Sequence, residues 1–228
     1  MKFSLPKRPQ IMRTIFQIDR RLLGRQAKSA KQYVRGRVLD VGSGDFLRYR
    51  DFFSFDVYDT LEPDAAKKPT IVGSAEQMPL QDALYDTVIS TQVLEHLPHP
   101  SRAVSEMFRI LKPGGYAVVT VPQWNELHEE PYDYWRYTSY GLQALFSEAG
   151  FRIERLEARG GFFAFLGQVV TRFIIDAFHL YERPLWNLLW FAPLKAWGLC
   201  MFWLDNHIRS KAARKHTLGW LCVAQKPP

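Results

Sequence analysis

Two glycines two residues apart close the stretch VLDVGSGDF, residues 38–46, and an acid, Asp40, sits just ahead of them. Val38, Leu39 and Val41 have the apolar character of a short buried strand. A strand that stops at Gly42-Ser43-Gly44 frees backbone N–H groups at its carboxyl end, and glycine lets a ligand approach without meeting a Cβ. In an open α/β sheet, that is where ligands bind. A second acid, Glu62, ends the stretch Val57–Pro63, 18 residues beyond Gly44. In nucleoside-binding sheets an acid at about this spacing meets the ribose hydroxyls, through charged hydrogen bonds of about 1.5–3 kcal/mol each. Asp59, earlier in the same stretch, is the second choice for that contact. A third concentration of chemistry is PQWNELHEEPYDYWRYT, residues 122–138, which holds Trp124, His128, Tyr132, Asp133, Tyr134, Trp135, Arg136 and Tyr137.

The elements that position these groups follow from periodicity and punctuation. Residues 57–63 alternate as a strand and stop at Pro63. Strand-like stretches recur at Tyr85–Ser90, Tyr116–Val121, Phe151–Leu156 and Thr217–Ala224. A helix capped by Ser101 carries Val104, Met107, Phe108 and Leu111 on one face and ends at Lys112-Pro113-Gly114-Gly115. A second helix fits Tyr140 to Gly150. Ahead of the first strand, residues 1–37 form a basic helical segment with Ile11, Ile15, Ile18, Leu22 and Leu23 at helical spacing.

In its order of motifs, with VLDVGSG, the acid at Glu62, VLEHLPHP and LKPGG in succession, the chain resembles a class I S-adenosylmethionine-dependent methyltransferase. The resemblance covers about Arg35 to Ala158 and the last strand. It implies a doubly wound, Rossmann-like α/β sheet of seven strands with the last one antiparallel, and S-adenosylmethionine as cofactor. Ile71 to Leu80 resembles the family's third-strand region, which places Ser74 and Ala75 at the adenine, with Glu76 as a substitute for the acid the family often has at Ser74, and Met78 either packed on the adenine or simply in the core. Gln92 and Val93 fall at the methionine half, largely through backbone. Glu95-His96 is read as structural rather than as an acid–base pair. The family's third glycine is replaced by Phe46, which rules against a dinucleotide fingerprint.

The loop 122–138 faces the donated methyl group in this topology. Positioning alone lowers a displacement barrier by about 7–11 kcal/mol, and a hydroxyl acceptor also needs a base. His128 is the first candidate and Asp133 the second. Trp124, Tyr132, Tyr134, Trp135, Arg136 and Tyr137 are candidates for substrate contact, or alternatively a lid held by an Arg136 ion pair. A PYDYWRYT-like motif also resembles a subgroup connected with envelope or polysaccharide metabolism.

With 228 residues and 47% hydrophobic content, the chain suits a domain at 38–228 behind the 1–37 segment, with an insertion at about 160–210. That insertion is apolar on nearly all sides, carries Trp186, Trp190, Trp197 and Trp203, and precedes Arg209, Lys211, Arg214 and Lys215. Its pieces, broken by Pro184 and Pro193, are read as too short to span a bilayer. They suit an interfacial anchor on an anionic membrane face, a lid, or a homodimer surface. A net charge of +7, concentrated before Val38, favours an anionic partner. Cys200 and Cys222 show neither metal spacing nor a disulfide framework, so no metal and a reducing cytoplasmic setting are expected. No secretory signal is evident. The expectation is methyl transfer to an unnamed acceptor, a hydroxyl of a membrane-associated or glycan-type molecule. The alternatives are RNA methylation, motivated by the basic N-terminus, and a membrane-associated cofactor-binding module without turnover.

Overall fold

The computed structural model describes residues 17–44, 49–180, 182, 184–208 and 210–228, the side chains of 184–188 excepted. The expectations resting on residues 1–16, Phe46, the Trp186 side chain and Arg209 lie outside these residues. Seven strands form one sheet: β1 Arg37–Val41, β2 Val57–Glu62, β3 Ile71–Val72, β4 Tyr85–Thr91, β5 Leu111–Pro122, β6 Arg152–Ala158 and β7 Gly219–Gln225. Their spatial order is β3-β2-β1-β4-β5-β7-β6. The first five pair in parallel, and β7 runs antiparallel to both β5 and β6. This is the expected methyltransferase-type sheet. Its order reverses direction between β1 and β4, which opens a crevice at their carboxyl ends.

The chain divides into two units: one of Leu22–Arg159 with Leu218–Pro228, the other of Met1–Arg21 with Gly160–Thr217. In the sheet unit, near-continuous apolar strands such as Val38-Leu39 and Val88-Ile89 are buried on both faces, as parallel sheets require. One cluster packs Leu39, Val41 and Val88 against helix α2 (Pro100–Ile110) and helix α3 (Ser139–Glu148). On the other face Val38, Ile89 and Val118 meet Ala30 and Val34, which follow helix α1 (Ile18–Ser29).

Several local expectations are corrected. Helix α2 starts one residue ahead of Ser101, with His99 at the cap and Pro100 in the first turn, where a missing N–H costs nothing. It ends at Ile110, before the glycines. Leu111 is already extended, and the residue before Pro113 disfavours helix. Gly114 and Gly115 therefore lie within the irregular start of β5, where the pairing with β4 shifts register. Helix α3 is capped by the Thr138 hydroxyl, which accepts from Gly141 N–H at 3.1 Å.

The helical unit holds α4 (Phe162–Ala177) and α5 (Pro184–His207). Pro193 does not break α5 as expected; it sits inside the helix. Proline's φ is helix-compatible and its interior cost is about 3 kcal/mol. The packing of Leu194, Trp190 and Phe191 around Ile175 and Leu180 opposes that cost. The Asp205 carboxylate accepts from Gly161 and Ala164 N–H, so a residue near the end of α5 caps the start of α4. Among the described residues no helix is long and apolar enough to cross a membrane.

Candidate active site

A cavity of about 310 Å³ opens at the carboxyl ends of β1 and β4, within the size range of small-molecule sites. Asp40, Gly42, Ser43, Gly44 and Gln92 line it, and the structure brings these five sequence-predicted residues together. Gly42 has φ +72°, and a Cβ there would stand 2.4 Å from the Val93 side chain. Gly44 has φ +64°. Both need glycine, and the turn leaves the cavity wall as backbone on this side. Asp40 accepts from the Tyr58 hydroxyl at 2.7 Å. Burial pushes its carboxyl up to about 7 against the lowering effect of that bond, with the nearby Glu62 charge adding to the rise. Gln92 holds φ +56°, an unusual conformation for a side-chain-bearing residue and one that clusters at functional sites. Its N–H donates to Thr120 O at 2.9 Å and its side-chain oxygen accepts from Arg159 at 3.1 Å.

Other cofactor candidates lie away from the cavity lining. Glu62 is buried, and its carboxylate accepts from Gly44 N–H and from Lys67, so it braces the glycine turn. Asp59, its rival, is taken up by Arg37 and the Tyr85 hydroxyl. Ser74 accepts from Glu76 N–H, and the Glu76 carboxylate accepts from His99 N–H at 2.7 Å, which anchors the entry to α2. Ala75 and Met78 are packed into the sheet core. Val93 points over Gly42. Sequence reasoning missed Tyr58, Thr91 and Glu129 in the lining. Tyr58 lies on a strand already identified and Thr91 directly follows one, whereas Glu129 had no signal beyond its place in the 122–138 loop.

That loop is tied to the turn after β4. Tyr134 and Trp135 N–H donate to Glu95 O, the Trp135 indole donates to Leu97 O at 2.9 Å, and the Tyr137 hydroxyl donates to Leu94 O at 2.9 Å. Tyr137 is buried in the sheet core, which corrects its assignment to substrate contact. Asp133 receives both arms of the Arg136 guanidinium at 2.7 Å and also His128 N–H. Burial opposes its ionisation, but the Arg136 and His128 contacts prevail and hold it down at about 2. A carboxylate so acidic and so occupied is a poor proton acceptor, which corrects Asp133 as a base. Arg136 is likewise engaged in fastening the loop. His128 is half-buried and free to present one ring nitrogen. Trp124, Tyr132, Tyr134 and Trp135 stand exposed.

Residues 39–119 match the family model described as "Methyltransferase domain". This part of the chain is similar to a methyltransferase domain, in line with the order of its motifs. Within 50 residues the chain is 46% identical to a Mycolicibacterium smegmatis protein named as a probable S-adenosylmethionine-dependent methyltransferase, over 22% of this chain and 20% of that one. Over 103 residues it is 35% identical to an uncharacterized methyltransferase of Mycobacterium leprae, covering 39% and 38%. The chain thus spans about two fifths or less of the length of the curated relatives it matches. A Haemonchus contortus phosphoethanolamine N-methyltransferase solved with S-adenosyl-L-methionine shares the fold, at TM-score 0.53 and 17% identity over 90% of this chain and 52% of that one. The [4+2]-cyclase SpnF superposes at TM-score 0.56 with 20% identity over 92% and 80%. Such likeness speaks for the fold alone.

S-adenosylmethionine is the cofactor of the methyltransferase domain. The glycine turn fits it at Gly44, where a Cβ would stand in open space and its absence lets a nucleoside-sized group approach, whereas the corresponding side of Gly42 is filled by Val93. Asp40, Gly42, Ser43, Gly44, Thr91 and Gln92 are the residues placed to hold it.

Proposed function

We propose that the protein transfers the methyl group of S-adenosylmethionine to a hydroxyl oxygen of a membrane-associated or glycan-type acceptor. The observation that carries the reading is the glycine-walled cavity at the β1/β4 crevice beside the loop 122–138. The bound cofactor supplies an electrophilic methyl group; the protein's part is to orient the two reactants and handle a proton. Asp133 and Arg136 fix the loop, and the exposed aromatics Trp124, Tyr132, Tyr134 and Trp135 offer the flat faces that sugar rings or lipid headgroups pack against. His128 is the group left to meet a hydroxyl proton.

The membrane part of this reading draws on the helical unit. Phe173 is 70% exposed, Leu189 67% and Trp203 58%; Leu199 is exposed too, and exposed Lys211, Arg214 and Lys215 follow in the chain. Exposed apolar side chains next to a basic cluster are the pattern of an interfacial anchor. In a flotation assay with anionic liposomes, the full chain is expected to rise with the vesicles and Phe173→Ser/Trp203→Ser to stay behind. Labelled methyl donor supplied with membrane extracts should mark a hydroxyl-bearing lipid or glycan. Label only in RNA, or none with full cofactor binding, would overturn the acceptor assignment.

A further inference from the structure

Two histidines near the cavity each give one ring nitrogen to a main-chain carbonyl. His96 Nδ1 lies 2.6 Å from Tyr132 O and His128 Nδ1 3.0 Å from Glu126 O. A carbonyl oxygen only accepts, so each Nδ1 carries its hydrogen and each Nε2 keeps a lone pair. The two rings meet edge to face with centroids 4.8 Å apart. Glu95 completes the group. It is fully buried, and neither of its carboxylate oxygens has a hydrogen-bond partner. One donor atom from each of the three residues lies within 4.8 Å of the others. Arg136 and Arg159 are within electrostatic reach of Glu95, but neither hydrogen-bonds it.

A buried carboxylate with nothing to accept from is costly. Two imidazole rings at this distance relieve it only by sharing a proton, because a lone pair only accepts. A cation answers all three at once. The bond from imidazole Nδ1–H to a carbonyl is, moreover, the outer contact that orients ligand histidines in metal sites.

We propose that Glu95, His96 and His128 form a site for a borderline divalent cation, Zn²⁺ or Mn²⁺, which seats the acceptor's oxygen. Two nitrogens and a carboxylate suit such ions, whereas Mg²⁺ and Ca²⁺ favour all-oxygen shells. Three protein ligands leave a position open for the acceptor. His128 immediately precedes Glu129, and Glu95 follows shortly after Gln92, both residues of the cavity wall. Binding draws the donors inward to about 2.0–2.2 Å from the ion, a movement open to the two partly exposed imidazoles.

The inference rests on the methyl-transfer reading and changes one part of it: with a cation bound, His128 is a ligand and no longer the proton acceptor. Coordination makes a hydroxyl a stronger acid, so its proton passes to water rather than to His128. The oxygen lone pair then forms the bond to the methyl carbon as the carbon–sulfur bond breaks, and that electron pair stays on the neutral thioether product.

The test uses the full chain, stripped with chelator and titrated calorimetrically with Zn²⁺ and Mn²⁺, with Co²⁺ followed by its visible absorption. One equivalent should bind, and His128→Gln should weaken binding by at least about tenfold and alter the Co²⁺ band. Glu95→Gln should do the same, but because Glu95 is buried the partly exposed His128 carries the decision. No binding, or binding unchanged in a His96→Ala/His128→Gln double variant, overturns the site. S-adenosylhomocysteine titrated into the same preparations separates the two readings. If it binds and the metals do not, only the cation site falls. If the metals bind and it does not, the site stands and the methyl-transfer reading falls.

Discussion

The sheet unit and the helical unit draw on similar apolar residues and treat them differently. In the sheet unit, Leu39, Val88 and Val119 disappear completely, because a parallel strand has elements packed on both faces. In the helical unit, α5 is apolar nearly all round, and a helix hides only the stripe that meets its neighbour. Leu194 is buried while Leu189, Leu199 and Trp203 face outward. The lesson concerns pattern rather than composition: a two-sided strand can be uniformly apolar and fully buried, whereas a uniformly apolar helix packed on one side leaves an apolar surface on the other.

The largest expected effect sets the two cores against each other. Leu39→Ala should cost about 2–5 kcal/mol in global stability by chemical denaturation. Leu194→Ala should cost less overall and appear in hydrogen exchange as faster opening confined to 162–207. Equal global losses would break the distinction.

Next comes the glycine wall. Gly42→Val meets Val93 and forces a positive φ on a β-branched residue, strain of about 1–3 kcal/mol. S-adenosylhomocysteine should bind at least about tenfold more weakly by calorimetry, with the thermal midpoint moving far less than for Leu39→Ala.

A smaller effect belongs to the helical unit. Asp205→Ala removes the acceptor for Gly161 and Ala164 N–H and should cost about 0.5–2 kcal/mol. It should show as lost exchange protection at 161–165, while Asp205→Asn retains most of it.

A further test is a slope with pH. Asp40 titrates near 7 in the fold against 3.8 when unperturbed. The folded state therefore holds the extra proton between those values, and stability falls as pH rises from about 4 to about 7. Asp133 has the opposite sign. Held at about 2, it contributes stability that is present above about 4 and lost as pH falls toward 2. Asp40→Asn should flatten the stability profile above pH 4 and leave the acid limb intact, as read from urea midpoints across pH.

Much of the sheet unit was legible in the residues. Apolar runs bounded by glycine, proline and acid marked the strands, and the motif order fixed their sequence. Those signals are local, so they survive reading one stretch at a time. Local signals also misled: Lys112-Pro113-Gly114-Gly115 has the look of a helix stop, yet the helix is over at Ile110 and the glycines serve the start of β5. Pro193 has the look of a break, yet α5 passes through it.

The chain's own sequence determined the sheet, the glycine turn with Asp40 beside it, and the concentration of ionisable and aromatic groups in 122–138. Each of these is carried by neighbours along the chain. Tertiary structure alone decided what those groups became. It locked Asp133 onto Arg136, buried Tyr137, turned Glu62 toward Gly44 and Glu76 toward His99, brought Asp205 to the start of α4, and gathered Glu95, His96 and His128. A carboxylate's role depends on which donor reaches it first in space, and for Glu62, Glu76 and Asp205 residues far apart in sequence supply that donor.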